Sequence, residues 1–420
     1  MTRLVVQALV TQDHEVVVVR TEDISCFEAP THAFGVEIVR WDNASQVEAL
    51  ARTADALVYQ IGDNYQFHCG CLEWLPVLSG IICLHDYFLG HLFYGWSKQR
   101  RPQARAIIRT WYSEALTECY SSDSNSEEFI EKTGNAAPMT EWVTSMANGV
   151  VTHSSWDIQR VLNACPGPVY AVPLAYDARG LVHRSLSNPQ TSNNNFTVLT
   201  LGHINSNKRP HSVIRAIGNS PKLRKKALYR LVGPIKSVVA QELIALAKSL
   251  KVKISISGEV DEASLIQAME QADVVCCLRL PPLEAASASA IEAMLYGKAV
   301  IVMDTGFYRE LPDRYVRKIV PEQELGDLQR ELEFLYLNPT ERYEIGQDAM
   351  EWATLTFNVD NYASKLIAMC SSVAKAVPTI EAIRYFTQTY ARWGVSDALA
   401  TTPDTIAPLH IFAGASHRIT

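Results

Sequence analysis

The sequence has 420 residues, 48% of them apolar and 20% charged, with 38 basic and 45 acidic side chains for a formal net charge of -7. At roughly 100–200 residues per domain, that length predicts two or three domains with full cores, and the acidic balance gives no support to nucleic-acid binding, which shows a basic excess. Nine cysteines are an odd number for a disulfide framework; Cys83, Cys276 and Cys277 lie in apolar runs where a thiol serves as a small hydrophobe, and the Cys69/Cys71 pair has no second pair at matching metal spacing.

In chain order, the opening LVVQALVTQDHEVVVV reads as a helix and then a strand. It faintly resembles a signal peptide, but Asp13 and Glu15 interrupt it and no small-residue cleavage site follows. No apolar run approaches the roughly 18–20 residues of a membrane span. The expectation is a cytoplasmic protein, with a peripheral membrane contact left open.

Short Val- and Ile-rich runs predict strands at 56–60, 81–84, 149–153 and 169–174, and again at 196–202, 229–232, 252–257, 273–278 and 299–303. Most are continuously apolar rather than alternating, the mark of strands buried on both faces of a parallel sheet. Helical patterns at 104–119, 210–217, 238–250 and 262–271 separate them, so the alternation predicts a doubly wound α/β architecture. HRSLSNPQTSNNN, residues 183–195, breaks the alternation as a polar linker between two domains. SSDSNSEEFIEKTGNAAP, residues 121–138, reads as a surface loop. The expected division is 1–190, 196–370, a helical segment over 371–398 and a loosely ordered tail over 399–420.

Several chemistries are absent. No two of the 20 glycines are separated by a single residue, so there is no G-x-G-x-x-G dinucleotide fingerprint, and Walker A, D-x-D and H-E-x-x-H patterns are missing as well. Neither a metal nor a dinucleotide cofactor is expected. The predicted site is a cleft between domains, faced by the C-terminal ends of strands.

Three groups of residues point there. After the strand ending at Gly202, Lys208 and Arg209 lie on the strand-to-helix loop of LGHINSNKRP; adjacent cations near free backbone N–H groups grip a phosphate, or are two solvated charges. In PPLEAASASAIEAMLYGKAVIV, Glu284 falls in the loop after a strand, Ser287 or Ser289 caps a helix, and Glu292 lies on that helix over a turn further on. The helix start favours a negative group and two carboxylates accept bonds from hydroxyls, which together describe a sugar nucleotide; the bland reading is a surface loop and a solvated helix. In the first half, strands end at His85-Asp86 and at a loop carrying Gly62, Asp63, Asn64 and His68. Histidine at a strand's C-terminal end in an α/β domain faces the cleft, although a lone histidine is more often structural.

With these pieces in this order, the chain resembles the family 4 retaining glycosyltransferases of GT-B fold, two facing Rossmann-like domains. The E-x7-E arrangement of Glu284 and Glu292 is that family's most specific motif. LGHINSNKRP resembles its glycine-to-lysine loop; LVGP, containing Gly233, and DTGFYRELPD match in kind; YQIGDN and LHDYFLGHL are similar to a bacterial branch. The resemblance implies a metal-independent retaining transfer of a hexose from a nucleotide-diphosphate sugar to a hydroxyl acceptor, which is a saccharide, lipid-linked saccharide or small molecule, in cell-surface polysaccharide or glycolipid synthesis. It implies that Lys208 neutralises the diphosphate with help from Arg209, Gly202 lets the backbone approach the phosphates, Glu292 binds the ribose and Glu284 the sugar. Gly233, His203 and Ser287 complete the donor side, and His85 lies beside the sugar from the opposite domain. Gly62, Asn64, His68 and Asp86 form the acceptor side.

There are two departures from the pattern. His203 stands where the family has arginine after the loop glycine, so charge there falls to Arg209 or Arg279, or donor binding weakens. Against the family pattern, the sequence opens on what reads as the first helix and second strand, so the expectation is either a misassigned start or a degenerate member short of its first strand and glycine loop. The alternatives are a glycosyltransferase-like protein that binds with little or no catalysis, and a GT-B epimerase or phosphorylase.

Overall fold

The computed structural model describes residues 1–120, 126–176 and 196–396, with residues 399 and 402. The chain falls into two compact units. The C-terminal unit holds Met1–Ala8, His153–Trp156 and Pro173–Tyr362; the N-terminal unit holds Leu9–Thr152, Asp157–Val172 and the chain from Ala363 onward.

The N-terminal unit contains strands β1 (Val18–Arg20), β2 (Ile38–Arg40), β3 (Val58–Ile61), β4 (Ile81–Leu84), β5 (Gly149–Thr152) and β6 (Val169–Ala171). All pair in parallel, but in two pieces, β1-β2 and β3-β4-β5-β6. The opening does form a helix, Thr2–Thr11, followed by β1, and among the described residues no strand joins β1 to β3. The helix Tyr65–Trp74 ties the pieces together. Its Gly70 lies so close to the Trp41 ring beyond β2 that an added Cβ would stand 2.5 Å away. Gly70 N–H donates to the Thr21 carbonyl (2.8 Å) and the Trp74 indole to the Trp41 carbonyl (2.9 Å). From its buried face the Cys71 thiol reaches the Gln60 carbonyl of β3.

The C-terminal unit has one sheet of β7 (Phe196–Leu201), β8 (Ala227–Val232), β9 (Lys253–Ile256), β10 (Val274–Cys277), β11 (Ala299–Met303) and β12 (Arg317–Ile319), all parallel, in the order β12-β11-β10-β7-β8-β9. The unbroken apolar runs of β7, β10 and β11 are buried along their whole length, as strands covered on both faces require. From β7 the chain builds outward through β8 and β9, then returns to add β10 on the other side. This reversal between β7 and β10 is a topological switch point, and ligands of open α/β sheets bind outside the strand C-termini there.

Two sequence expectations are corrected. Within 121–138, Ser126–Thr133 is a helix rather than loop, because Phe129 is buried among the rings of Phe88, Tyr94 and Tyr120. The helix expected over 104–119 runs Arg101–Trp111 and gives way to a short 3-10 turn. The linker at 183–195 and nearly all of the tail lie outside the described residues. The last helix, Val359–Arg392, is long and apolar enough to cross a membrane by length and composition. Its Met369 and Val373 pack on Gly149 of β5, and Arg384 donates to Asn148 Oδ1 (2.9 Å) and to the Met146 and Ala147 carbonyls.

Candidate functional site

The chemistry of the C-terminal unit gathers at its switch point. β7 ends at Gly202, whose φ of +86° is a left-handed conformation that suits glycine. A Cβ there would stand 2.7 Å from Lys208 Nζ. Gly233, at the end of β8 with φ +132°, has no room for a side chain either, since a Cβ would run into the Gly202 carbonyl. The loop from Gly202 closes as a 3-10 turn, Ser206–Lys208, capped by Asn205. It is tied to the segment after β10 by Asn207, whose side chain donates to the Pro281 carbonyl (2.6 Å) and whose own carbonyl accepts from Leu280 N–H (3.1 Å).

That tie brings Lys208, Arg279 and Glu284 together. Lys208 is buried, and its ammonium donates to the Leu201 carbonyl. Burial and the neighbouring Arg279 pull its pKa down to about 7, with Glu284 opposing. Arg279 is buried too; its Nε donates to Glu284 Oε1 (3.1 Å) and its Nη1 to the Leu278 carbonyl (2.9 Å). Glu284 keeps about a third of its side chain exposed, at 34%. Ser287 caps the helix Ala288–Leu295, accepting from Ala290 N–H. A small crevice is lined by Arg279, Glu284, Ser287 and Tyr308.

The remaining donor-side candidates sit apart from this cluster. Arg209, in the left-handed conformation, grips Glu324 with both ends of its fork (2.8 and 2.5 Å), so its charge is already engaged. His203 is exposed. Glu292 lies one turn into the helix, where Tyr176 hydrogen-bonds it; burial raises its pKa and the Tyr176 bond partly offsets that. Tyr176, Tyr308 and Glu324 are partners that sequence reading did not single out.

In the N-terminal unit the candidates meet beyond β3 and β4. Asp86 Oδ2 accepts from Asp63 N–H (2.8 Å) and would stand 2.9 Å from a Cβ on Gly62, with His68 Nε2 at 3.2 Å. Burial lowers the His68 pKa to about 4, which keeps the ring neutral. Asn64 caps the helix Tyr65–Trp74 by accepting from Gln66 N–H (2.9 Å). His85 Nε2 meets Gln60 Oε1 at 2.7 Å. The strongest contact was not anticipated: Asp63 holds His91 Nδ1 at 2.5 Å and Leu92 N–H at 2.9 Å, at the start of the helix Gly90–Ser97. Burial pulls the His91 imidazole down, but the hydrogen bond and charge of Asp63 outweigh it and the ring titrates above its ordinary value. Among the described residues, no group of three His, Cys, Asp or Glu side chains could hold a metal ion.

Comparison with known families adds one decisive match: residues 184–352 fit the model for glycosyl transferases group 1. They form a glycosyltransferase group 1 domain. The glycosyltransferase domain therefore contains Gly202, Lys208, Gly233, Arg279, Glu284, Ser287 and Glu292. No curated protein matches the chain in sequence. Among solved structures, HepE (Alr3699) of Anabaena in complex with UDP is similar at a TM-score of 0.57 and 16% identity, over 89% of this chain and 96% of that one. Sucrose-phosphate synthase (tll1590) of Thermosynechococcus elongatus is similar at 0.55 and 16%, over 88% and 91%. A glycosyltransferase of Rickettsia africae is similar at 0.54 and 12%, over 89% and 93%. The likeness spans both units and establishes the GT-B glycosyltransferase fold.

Proposed function

We propose that this glycosyltransferase is a metal-independent, retaining enzyme of family 4 type. It moves a hexose from a nucleotide-diphosphate sugar to a hydroxyl acceptor in cell-surface polysaccharide or glycolipid synthesis. The observation that carries the reading is two buried basic side chains, Lys208 and Arg279, beside one carboxylate, Glu284, which bonds Arg279, at the switch point of a group 1 domain. Buried positive charge in excess of its counter-charge is costly unless an anion repays it, and it stands where a departing diphosphate develops negative charge.

In the proposed reaction the bond between the anomeric carbon and the diphosphate oxygen breaks, and the acceptor hydroxyl oxygen forms the new bond on the same face. The hydroxyl proton passes to the leaving phosphate. Lys208 stabilises the diphosphate, Gly202 and Gly233 leave the backbone open to it, Glu284 contacts the sugar and Glu292 the ribose. His85, with Gly62, Asn64, His68 and Asp86, is assigned to the acceptor side. The Anabaena structure holds UDP, which makes uridine-diphosphate sugars the first donors to try here. A cytoplasmic location, with or without a peripheral membrane contact, fits such a donor.

A thermal-shift screen of UDP-, GDP- and ADP-sugars tests the reading, because a bound donor raises the melting temperature in proportion to the logarithm of its concentration over Kd. Stabilisation by one donor, followed by EDTA-insensitive transfer with retained anomeric configuration, is the expected result. Conversion of the donor without an acceptor identifies an epimerase instead. Stabilisation without turnover supports a binding protein, the reading favoured by the divided sheet of the N-terminal unit.

A further inference from the structure

We infer that Arg279 is a second cation of the diphosphate subsite, held in position by Glu284; the inference rests on the donor reading above. Four observations carry it. Arg279 lies two residues beyond β10, at the switch point, next to Lys208 across the Asn207 tie. It is 5% exposed, and among the described residues Glu284 is the carboxylate that acts on both it and the similarly buried Lys208. Its guanidinium is already aimed, with Nε on Glu284 and Nη1 on the Leu278 carbonyl, and Thr305 Oγ1 donates to its backbone carbonyl (3.2 Å). Neither of those contacts uses Nη2, and the side chain lines a small crevice with Ser287 and Tyr308.

The other arginine near the loop does not compete for the role. Arg209 is chelated by Glu324, and the position directly after Gly202 is an exposed histidine. A planar guanidinium presents N–H donors in a fork that matches two phosphate oxygens, which an ammonium such as Lys208 cannot do. Glu284 then has a positioning duty as well as a sugar contact: it orients the fork and lowers the cost of burying it. The two loops thus place a point charge and a fork side by side, one from the β7 end and one from the β10 end.

Calorimetry on the full chain tests this with pyrophosphate, UDP, GDP, ADP and UMP as probes. Arg279→Gln is expected to weaken pyrophosphate binding, but it leaves Glu284 without its partner and so endangers folding. The double variant Arg279→Gln/Glu284→Gln removes both charges of the pair together, whereas Glu284→Gln alone leaves the buried Arg279 without its carboxylate, so the melting temperature of each variant is checked before binding is read. Glu284→Gln is expected to bind pyrophosphate more tightly than the natural protein, and adding Arg279→Gln to weaken it roughly tenfold or more. The nucleoside diphosphate that binds best should lose more affinity than UMP, which carries one phosphate fewer, whereas a purely structural arginine would affect both alike. Pyrophosphate affinity in the double variant within about twofold of Glu284→Gln, or an equal loss for diphosphate and monophosphate, overturns the inference and leaves the donor reading standing. If the natural protein binds neither pyrophosphate nor any of the three nucleoside diphosphates, the donor reading falls and this inference with it.

Discussion

Among the described residues both units arrange six parallel strands, but one makes a single sheet of them and the other two pieces of two and four. In the C-terminal unit β7, β10 and β11 are buried along their whole length. In the N-terminal unit only β4 and β5 are buried throughout, while Ile38 of β2 and Val58 of β3 are each 37% exposed. The difference teaches what a central strand does. It supplies two ladders and two covered faces, and without it the flanking strands stay short and half-wet, held by a helix and a tryptophan rather than by backbone pairing. The proposed donor chemistry sits on the complete sheet, at the switch point where Lys208 and Arg279 are both buried.

The largest test of that contrast compares two glycines of positive φ. Gly233→Ala, at the packed end of β8, is expected to cost more than about 3 kcal/mol in denaturant unfolding, since the new Cβ meets the Gly202 carbonyl. Gly35→Ala, with φ +77° and nothing within 4 Å, should cost about 1 kcal/mol from backbone strain alone. Equal costs would mean that the β7–β8 junction is no tighter than an N-terminal loop.

Next in size, Lys208→Met should weaken nucleoside-diphosphate binding about 100-fold, the loss of a charge-assisted contact in a water-poor site, read by calorimetry. The same lysine sets a pH dependence. Its folded pKa is lowered to about 7, below the unfolded value near 10.4, so between those values the unfolded chain binds more protons. Stability of the C-terminal unit should therefore rise with pH across that window, by up to about 1.4 kcal/mol per pH unit, and Lys208→Met should flatten the slope. Diphosphate affinity should move the opposite way, falling above pH 7 as the lysine loses its proton; a flat affinity profile would remove Lys208 from the anion site.

The smallest effect belongs to the divided unit. Asp63→Asn should lower the titration midpoint of His91, followed by its imidazole NMR signals, because the carboxylate charge that favours the protonated ring is lost. An unmoved midpoint would mean that the Asp63 contact does not form in solution.

Much of this was legible in the residues. Eight of the nine strand candidates differ from the observed strands by no more than two residues at either end, because parallel strands buried on both faces write themselves as unbroken Val and Ile runs. The three-residue strands β2 and β12 carry too few side chains for any period to show. The helix over Ser126–Thr133 was hidden by a polar composition, although one aromatic, Phe129, anchors it. At the site, Gly202, Lys208, Glu284 and Ser287 were readable from loop and cap spacing. Arg209 looked equivalent to Lys208 as a neighbouring cation; its engagement by Glu324, 115 residues away, has no local signature.

The sequence alone determined the α/β alternation, the strand that runs into Gly202 and the loop that carries Glu284, since these rest on local periods, caps and composition. Tertiary structure alone decided which charges meet. Lys208 and Arg279 became one buried cation pair, Arg209 became a strut for Glu324, and Asp63 found His91, because burial and counter-charge are set by segments that only folding brings together.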